Sequence, residues 1–340
     1  MKIGFGYHLQ KGAWGGGNQF ARSLTEFLTD NGHEVCYGLQ DDDIDLILLT
    51  EVRGRSPSAA FNAGSVLRYL QFCNPKSLVV HRINECDERK GTEHMNRLLT
   101  RANYVSDHTV FIASWLRELK LWRKESQSSV ILNGADQAIF KPNEKLKWSD
   151  GKPLKLVTHH WGGNRQKGAD IYEKIDSFVT MPVWKNKIEF TYVGNVPDGC
   201  NLPNTHVLPP LSGSELAGEL ASHHVYVTGS INEPAGMHHI EGALCGLPLI
   251  YRNSGALPEY CSGYGIKFEG PDDFEYALKR MCLGYDKWLR RIDNYPHTSD
   301  RMCKKYMELF NSLLERREEV LFKRELWRNP WTFMRNQLAI

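Results

Sequence analysis

Two glutamates eight residues apart, Glu233 and Glu241, are the side chains on which chemistry is most readily built. They stand in the run S-I-N-E-P-A-G-M-H-H-I-E-G-A-L-C-G-L-P-L-I-Y-R-N-S-G-A-L-P-E-Y, residues 230–260. Residues 225–228 before it are β-rich and predict a strand. Asn232 and Glu233 offer acceptors at a helix start, and Pro234 suits a first turn, where its missing N–H costs nothing. Residues 235–245 predict a helix stopped by Gly246, and residues 247–252 a buried strand. Strand, acidic turn, helix, glycine and strand make a parallel crossover. Eight helical residues rise about 12 Å and leave a net turn of about 80°. Both carboxylates then address one groove. Between them, N–H groups at Ala235, Gly236 and Met237 carry the positive end of the helix dipole, and Gly236 admits a ligand close to the backbone. A nucleotide diphosphate sugar fits that pattern, with hydroxyl readers at its sugar and ribose and donors for its phosphates.

A second polar loop predicts cations near the same ligand. Residues 154–158 read as a strand, and H-H-W-G-G-N-R-Q-K-G (residues 159–168) leads to a helix from Ala169. Arg165 and Lys167 can neutralise a diphosphate whose charge grows as the sugar–phosphate bond breaks. Histidine pairs occur at 159–160, 223–224 and 238–239. Adjacent helical residues point about 100° apart and no H-E-x-x-H spacing is present, so no metal is expected.

The elements that must position these loops are alternating strands and helices. Residues 2–9 predict a strand, followed by G-A-W-G-G-G (12–17), a helix at 18–29 and strands at 32–35 and 44–50. This alternation predicts a doubly wound parallel sheet. The dinucleotide fingerprint fails, because Gly4 and Gly6 are followed by Leu9 where its third glycine belongs. Residues 78–81 predict a strand ending at His81, followed by a polar run where ligands bind such sheets. A helix at 93–102, a strand at 109–112 and a helix opening at 113–116 come next. Residues 129–132 then lead into N-G-A-D-Q-A-I-F-K-P (133–142), and the Pro-, Lys-, Asp- and Gly-rich stretch near 141–152 reads as a linker. Further on, residues 188–193 predict a strand, and Ser212 with Glu215 a cap for a helix at 212–221. Residues 274–291 and 300–324 predict helices. The tail 325–340 carries Trp327, Trp331, Phe333 and several arginines; domain-interface packing and contact with a membrane surface are both open.

At 340 residues the chain has room for two α/β domains. A net charge of +2 implies no field for nucleic acid, and 41% hydrophobic residues with mean hydropathy −0.45 describe a globular chain. No apolar run approaches 18 residues, and the N-terminus is too short and glycine-rich for a signal peptide. Eight scattered cysteines without C-x-x-C indicate reduced, cytoplasmic usage.

The Glu233–Tyr260 run resembles the donor-site signature of retaining GT-B glycosyltransferases, family 4 in particular. That pattern is Glu, Pro-aromatic-Gly, a second Glu after seven residues, A-x-x-C-G-x-P, and a later P-E. This chain has each part except the aromatic, which is Ala235, and the first Ala of A-x-x-C-G-x-P, where Gly242 stands. The N-G-A-D-x-x-x-F-x-P stretch resembles the hinge closing the first domain of that family. Gly16 and Gly17 resemble its glycine loop near donor phosphates and acceptor, and Lys167-Gly168 its K-G. His81 is the nearest match to a histidine close to the reacting sugar, although Arg82 stands where many members have Asp. Asn84 and Asp87 fall on the acceptor side, and Gly194 and Leu211 in segments that pass the base.

The resemblance implies two Rossmann-like domains facing a cleft: residues 1–142 for the acceptor and 153–300 for the donor, with 301–340 a helix and tail crossing back. It implies retaining transfer of a hexose or similar sugar from a UDP- or GDP-linked donor to a glycan, lipid-linked or other hydroxyl acceptor, without metal or cofactor. In that scheme His81, Glu233, Arg165 and Lys167 serve catalysis. Gly16, Gly17, Gly194, Leu211, Ala235, Gly236, Met237 and Glu241 bind donor, and Asn84 and Asp87 bind acceptor. Three other readings stay open: a glycosyltransferase-like binding or scaffold protein without turnover, a nicotinamide oxidoreductase, and a sugar phosphorylase.

Overall fold

The computed structural model describes the chain except residues 13–14, 124–126, 143–145, 150, 327–328 and 338–340. Trp14 of the glycine loop, part of the expected linker and Trp327 of the tail therefore lie outside the described residues. Two compact units are present. One comprises Met1–Lys11, Gly17–Leu132 and Asp300–Ile340; the other comprises Gly12–Gly16 and Asn133–Ser299.

The first unit is built on β1 (Lys2–Phe5), α1 (Gly16–Asp30), β2 (Glu34–Cys36), β3 (Leu46–Leu49), α2 (Ala63–Phe72), β4 (Leu78–Ile83), α3 (Met95–Ala102), β5 (His108–Phe111) and β6 (Gln127–Val130). Its sheet runs β2-β1-β3-β4-β5-β6 with every described pairing parallel. All of β3 is buried, as an apolar run covered on both faces requires, and so is β4, which carries His81 and Arg82 after its apolar start. Phe20, Ala21, Leu24 and Leu28 form the buried stripe of α1.

The second unit contains β7 (Leu154–His160), α4 (Ala169–Thr180), β8 (Ile188–Gly194), β9 (His206–Leu208), α5 (Gly213–Leu220), β10 (Val225–Thr228), α6 (His238–Leu244), β11 (Leu249–Arg252), α7 (Leu257–Cys261), β12 (Gly265–Phe268) and α8 (Pro271–Ile292). Its order is β12-β11-β10-β7-β8-β9, again parallel throughout the described pairings. Strands β7, β8 and β10 and helices α4 and α8 enclose a core that includes Leu156, Tyr172, Phe178, Tyr192, Val227 and Phe274.

Helices α9 (Ser299–Glu315), α10 (Arg317–Phe322) and α11 (Pro330–Gln337) end the chain. Met302, Tyr306, Phe310 and Leu313 of α9 join the core of the first sheet. Arg324 anchors the segment after α10: it donates to Asp107 Oδ1 at 2.7 Å and to the carbonyls of Pro75 (2.8 Å) and Ser77 (2.6 Å). Both ionic side chains are almost fully buried.

Several expected elements differ. β1 stops at Phe5 rather than Leu9, since Tyr7 leaves the sheet and bridges antiparallel to Ala59. Helix α2 is an element beyond those the sequence pattern predicts; its Asn62 cap accepts from Ser65 N–H. The helix opening at 113–116 is one 3-10 stretch, Ser114–Glu118. The helix at 300–324 breaks at Arg316, whose φ −104 and ψ 23 leave helical space. Ser212 occupies the N-cap of α5, but its side chain makes no capping bond.

Removing one partner of a buried ion pair strands the other charge. Arg324→Ala should therefore lose about 3 kcal/mol of stability, measured by chemical denaturation. An unchanged midpoint would show that this anchor contributes nothing.

Candidate functional site

The site in the second unit rests on two buried acid–base contacts. Lys167 Nζ lies 2.5 Å from Glu233 Oε2, with side chains 10% and 3% exposed. Glu241 Oε2 lies 2.6 Å from His159 Nε2, with side chains 2% and 11% exposed. The other oxygen, Glu241 Oε1, is buried and has no hydrogen-bond partner among the described residues.

Close backbone approaches bring these groups together. Gly168 has φ +107, and a Cβ there would lie 2.6 Å from Gly229, so this position favours glycine on both conformational and steric grounds. The approach seats the loop holding Lys167 against the turn holding Glu233, and Ile231 N–H donates to the Gln166 carbonyl at 2.7 Å. From the other side, Asn232 N–H donates to Ser254 Oγ at 2.9 Å and Ala256 N–H to the Glu233 carbonyl at 2.9 Å. Asn133 secures the next residues of the turn: its N–H donates to Tyr260 OH at 2.7 Å and its Nδ2 to the Ala235 carbonyl at 2.9 Å. The hinge-like asparagine is thus a brace for the acidic turn.

This bracing corrects the expected helix. Helix α6 begins at His238, not Ala235. The Ala235 carbonyl is engaged by Asn133, and residues 234–237 run as an irregular approach to the helix. Glu233 therefore sits on a turn rather than in the helix that carries Glu241, and helical spacing does not describe the pair. Gly236 lies close to both neighbours: a Cβ there would be 2.4 Å from His238 Nδ1 and 3.1 Å from Glu233 Oε1. Met237 is the N-cap residue of α6, and Ala235 and Met237 are both buried.

The histidine pairs 159–160 and 238–239 belong to a buried ring-and-hydroxyl cluster, whereas His223 bonds Thr191 and His224 accepts from Lys155 N–H. β7 runs through His160, two residues past its expected end, which places both of its histidines on a strand. Tyr226 OH lies 3.1 Å from His159 Nδ1, His160 Nε2 lies 2.5 Å from Tyr172 OH, and His238 Nε2 lies 2.9 Å from Thr228 Oγ1. Among the described residues no group of three or more His, Cys, Asp or Glu is arranged to hold a metal. His239 is fully buried with neither ring nitrogen hydrogen-bonded among the described residues, and burial pushes its pKa down to about 3.

The remaining predicted residues separate into groups. Arg165 is half-exposed and turned to Glu173 (3.4 Å) and the Asp198 carbonyl (3.3 Å), so it is not brought to the Lys167–Glu233 pair. Gly194 ends β8 with φ +124, and a Cβ there would strike the His160 carbonyl at 2.0 Å. Leu211 is partly buried between β9 and α5. Gly16 and Gly17 open α1. In the first unit, His81 is not at a strand end, because β4 continues through Ile83. It is fully buried beside Asn103 Nδ2 (3.0 Å), and burial lowers its pKa to about 3. Asp87 is buried and caps α3, accepting from Thr92 Oγ1 and the N–H groups of His94, Met95 and Asn96. Burial would raise its pKa, but these bonds outweigh it and hold the carboxyl below its usual range. Asn84 is partly exposed and its side chain makes no hydrogen bond among the described residues. Reading the sequence missed His159 as the partner of Glu241; its place near the carboxyl end of a parallel strand was the available signal.

No protein-family model matches the chain, and no curated protein matches it in sequence. Solved structures do match in fold. Sucrose-phosphate synthase from Thermosynechococcus elongatus superposes with TM-score 0.64 at 14% identity, covering 92% of this chain and 99% of that one. Anabaena Alr3699/HepE in complex with UDP-glucose gives TM-score 0.65 at 14% identity over 92% and 100%. The catalytic domain of starch synthase IV from Arabidopsis thaliana, bound to ADP and acarbose, gives 0.59 at 16% over 89% and 79%. The fold is GT-B. Two six-stranded parallel sheets with flanking helices, as expected from the sequence, are the GT-B architecture. Among the described residues no helix is long and apolar enough to cross a membrane.

The buried neutral histidines of this GT-B chain set an acid limit. Their folded pKa of about 3 lies below the ordinary value of 6.5, so between these values the unfolded chain binds protons that the folded chain does not. The stability is fully present above pH 6.5 and is lost as pH falls toward 3. His239→Leu should flatten denaturation-derived stability against pH by about 1.4 kcal/mol per pH unit across that window. An unaltered slope would mean that His239 is protonated in the folded state.

Proposed function

We propose that this chain is a glycosyltransferase that moves a sugar from a nucleotide diphosphate sugar to a hydroxyl acceptor, with retention of configuration and without metal. The observation that carries the reading is the half-satisfied carboxylate of Glu241. A buried carboxylate oxygen without a donor is costly, and a ligand hydroxyl would satisfy it. His159 holds the other oxygen, so the free one is fixed in direction. Glu241 in this reading takes a ribose hydroxyl, and Glu233 takes hydroxyls of the transferred sugar.

Lys167, held by Glu233, supplies positive charge where the sugar–phosphate bond breaks. Gly236 and Met237 bring backbone N–H groups to the same phosphates, and Gly16 and Gly17 provide a second glycine approach. The leaving phosphate then helps take the acceptor proton on the face it has just left, and charge stabilisation lowers the oxocarbenium-like transition state. Arg165 joins this work after exchanging Glu173 for phosphate. Gly194 and Leu211 flank the base. Residues 1–142 take the acceptor, with Asn84 free to bond it, and residues 153–300 take the donor. Support comes from the signature around Glu233 and Glu241 and from fold relatives whose structures hold UDP, UDP-glucose or ADP. The orientation of Arg165 toward Glu173 favours a second reading, a nucleotide-sugar-binding protein without turnover.

Calorimetry with UDP, GDP, ADP and TDP tests the site. One diphosphate should bind in the micromolar range, and Glu241→Ala should weaken it roughly tenfold to a hundredfold, the value of a charge-assisted hydrogen bond. Loss of sugar from the matching donor on long incubation would separate turnover from binding alone. No diphosphate binding to protein with an unchanged melting temperature would remove both readings.

A further inference from the structure

The first unit holds a second cationic cavity that the donor site does not use. It has a volume of about 280 Å³ and is lined by Arg53, Arg55 and Arg101 together with Val52, Leu98, and the start of α2 at Ala63 and Gly64. Among the described residues no acidic side chain lines it. We infer that this cavity binds a phosphoryl group carried on a small or lipid body.

Each arginine has donors to give. Arg55 is exposed and makes no ion pair or hydrogen bond among the described residues. Arg53 grips Glu51 through Nε (2.8 Å) and Nη2 (2.7 Å), which fixes the guanidinium plane and leaves its Nη1 edge unused. Arg101 donates through Nη2 to the Arg335 carbonyl, while its buried Nε has no partner among the described residues. Helix α2 is ten residues long, so its first N–H groups add to the field from the cavity wall. Asn62 Oδ1 already serves Ser65 N–H at 3.0 Å and does not oppose an anion there. Arg53 is already paired with Glu51, so the charge left to neutralise in this space is that of Arg55 and Arg101, which a dianionic phosphoryl group meets while accepting their planar forks. Val52, Leu98 and Ala102 give an apolar wall for the body that carries it. Together with the transfer proposal, on which this one role rests, the cavity anchors a phosphorylated acceptor.

The test is binding, not turnover, so it stands or falls apart from the donor site. Inorganic phosphate and glucose 6-phosphate are titrated calorimetrically into the full chain. Phosphatidylcholine vesicles with and without phosphatidic acid are co-sedimented with it in parallel. Either soluble phosphate binding or phosphatidic-acid-dependent sedimentation should weaken roughly tenfold in Arg55→Gln, with an unchanged melting temperature and no such loss in Lys167→Ala. Competition of free phosphate with vesicles identifies a soluble ligand; vesicle binding that phosphate leaves intact identifies a lipid headgroup. Binding of neither probe, binding indifferent to both Arg55→Gln and Arg101→Gln, or binding lost only in Lys167→Ala overturns the proposal.

Discussion

The candidate site of the second unit depends on one buried ion pair, Lys167 with Glu233. Neither charge tolerates removal from water alone, and each is buried because the other is present. To bring them within 2.5 Å, two loops from different crossovers must pass at backbone distance. Gly168 against Gly229 provides that passage, and a side chain at Gly168 would push the loops apart. A second glycine, Gly255 at φ +56, backs onto Glu233 so closely that a Cβ would lie 2.5 Å from its backbone nitrogen. The acidic turn is consequently gripped from two sides before any ligand arrives.

Around that pair the unit places hydrogen-bonded aromatics rather than free acids and bases. Tyr172, Tyr226, Thr228, His159, His160 and His238 hydrogen-bond in the interior, and His239 packs on His238 through a ring contact. Burial pushes the Tyr172 and Tyr226 hydroxyls up and the His238 imidazole down, which keeps each neutral. Those two tyrosines and His238 form the uncharged part of the cluster. Beside this cluster the charges are paired: Lys167 with Glu233, and buried Arg252 with Asp170.

The first unit distributes its polar groups differently. His81 and Asp87, which the sequence offers as ligand groups, are absorbed by β4 and by the cap of α3. Both residue types bond backbone and amide partners as readily as ligands, so their identity alone does not separate the two uses. Arginines gather instead after β3 and on α3, around the start of α2.

Much of the fold was legible because period and punctuation are local. Apolar runs such as Leu46–Leu49 and Val225–Thr228 stand between glycine and polar loops, and their alternation with helices leaves a doubly wound parallel sheet as the natural packing. Glu233, Glu241 and Lys167 were legible through the glycines, prolines and strands that frame them. Tertiary structure alone decided which atom each of them meets. It shortened α6 through a bond from Asn133, 102 residues away in sequence. It paired His159 with Glu241 across 82 residues and turned Arg165 to Glu173. Such contacts form between segments that converge only in the folded chain, so local pattern carries no record of them.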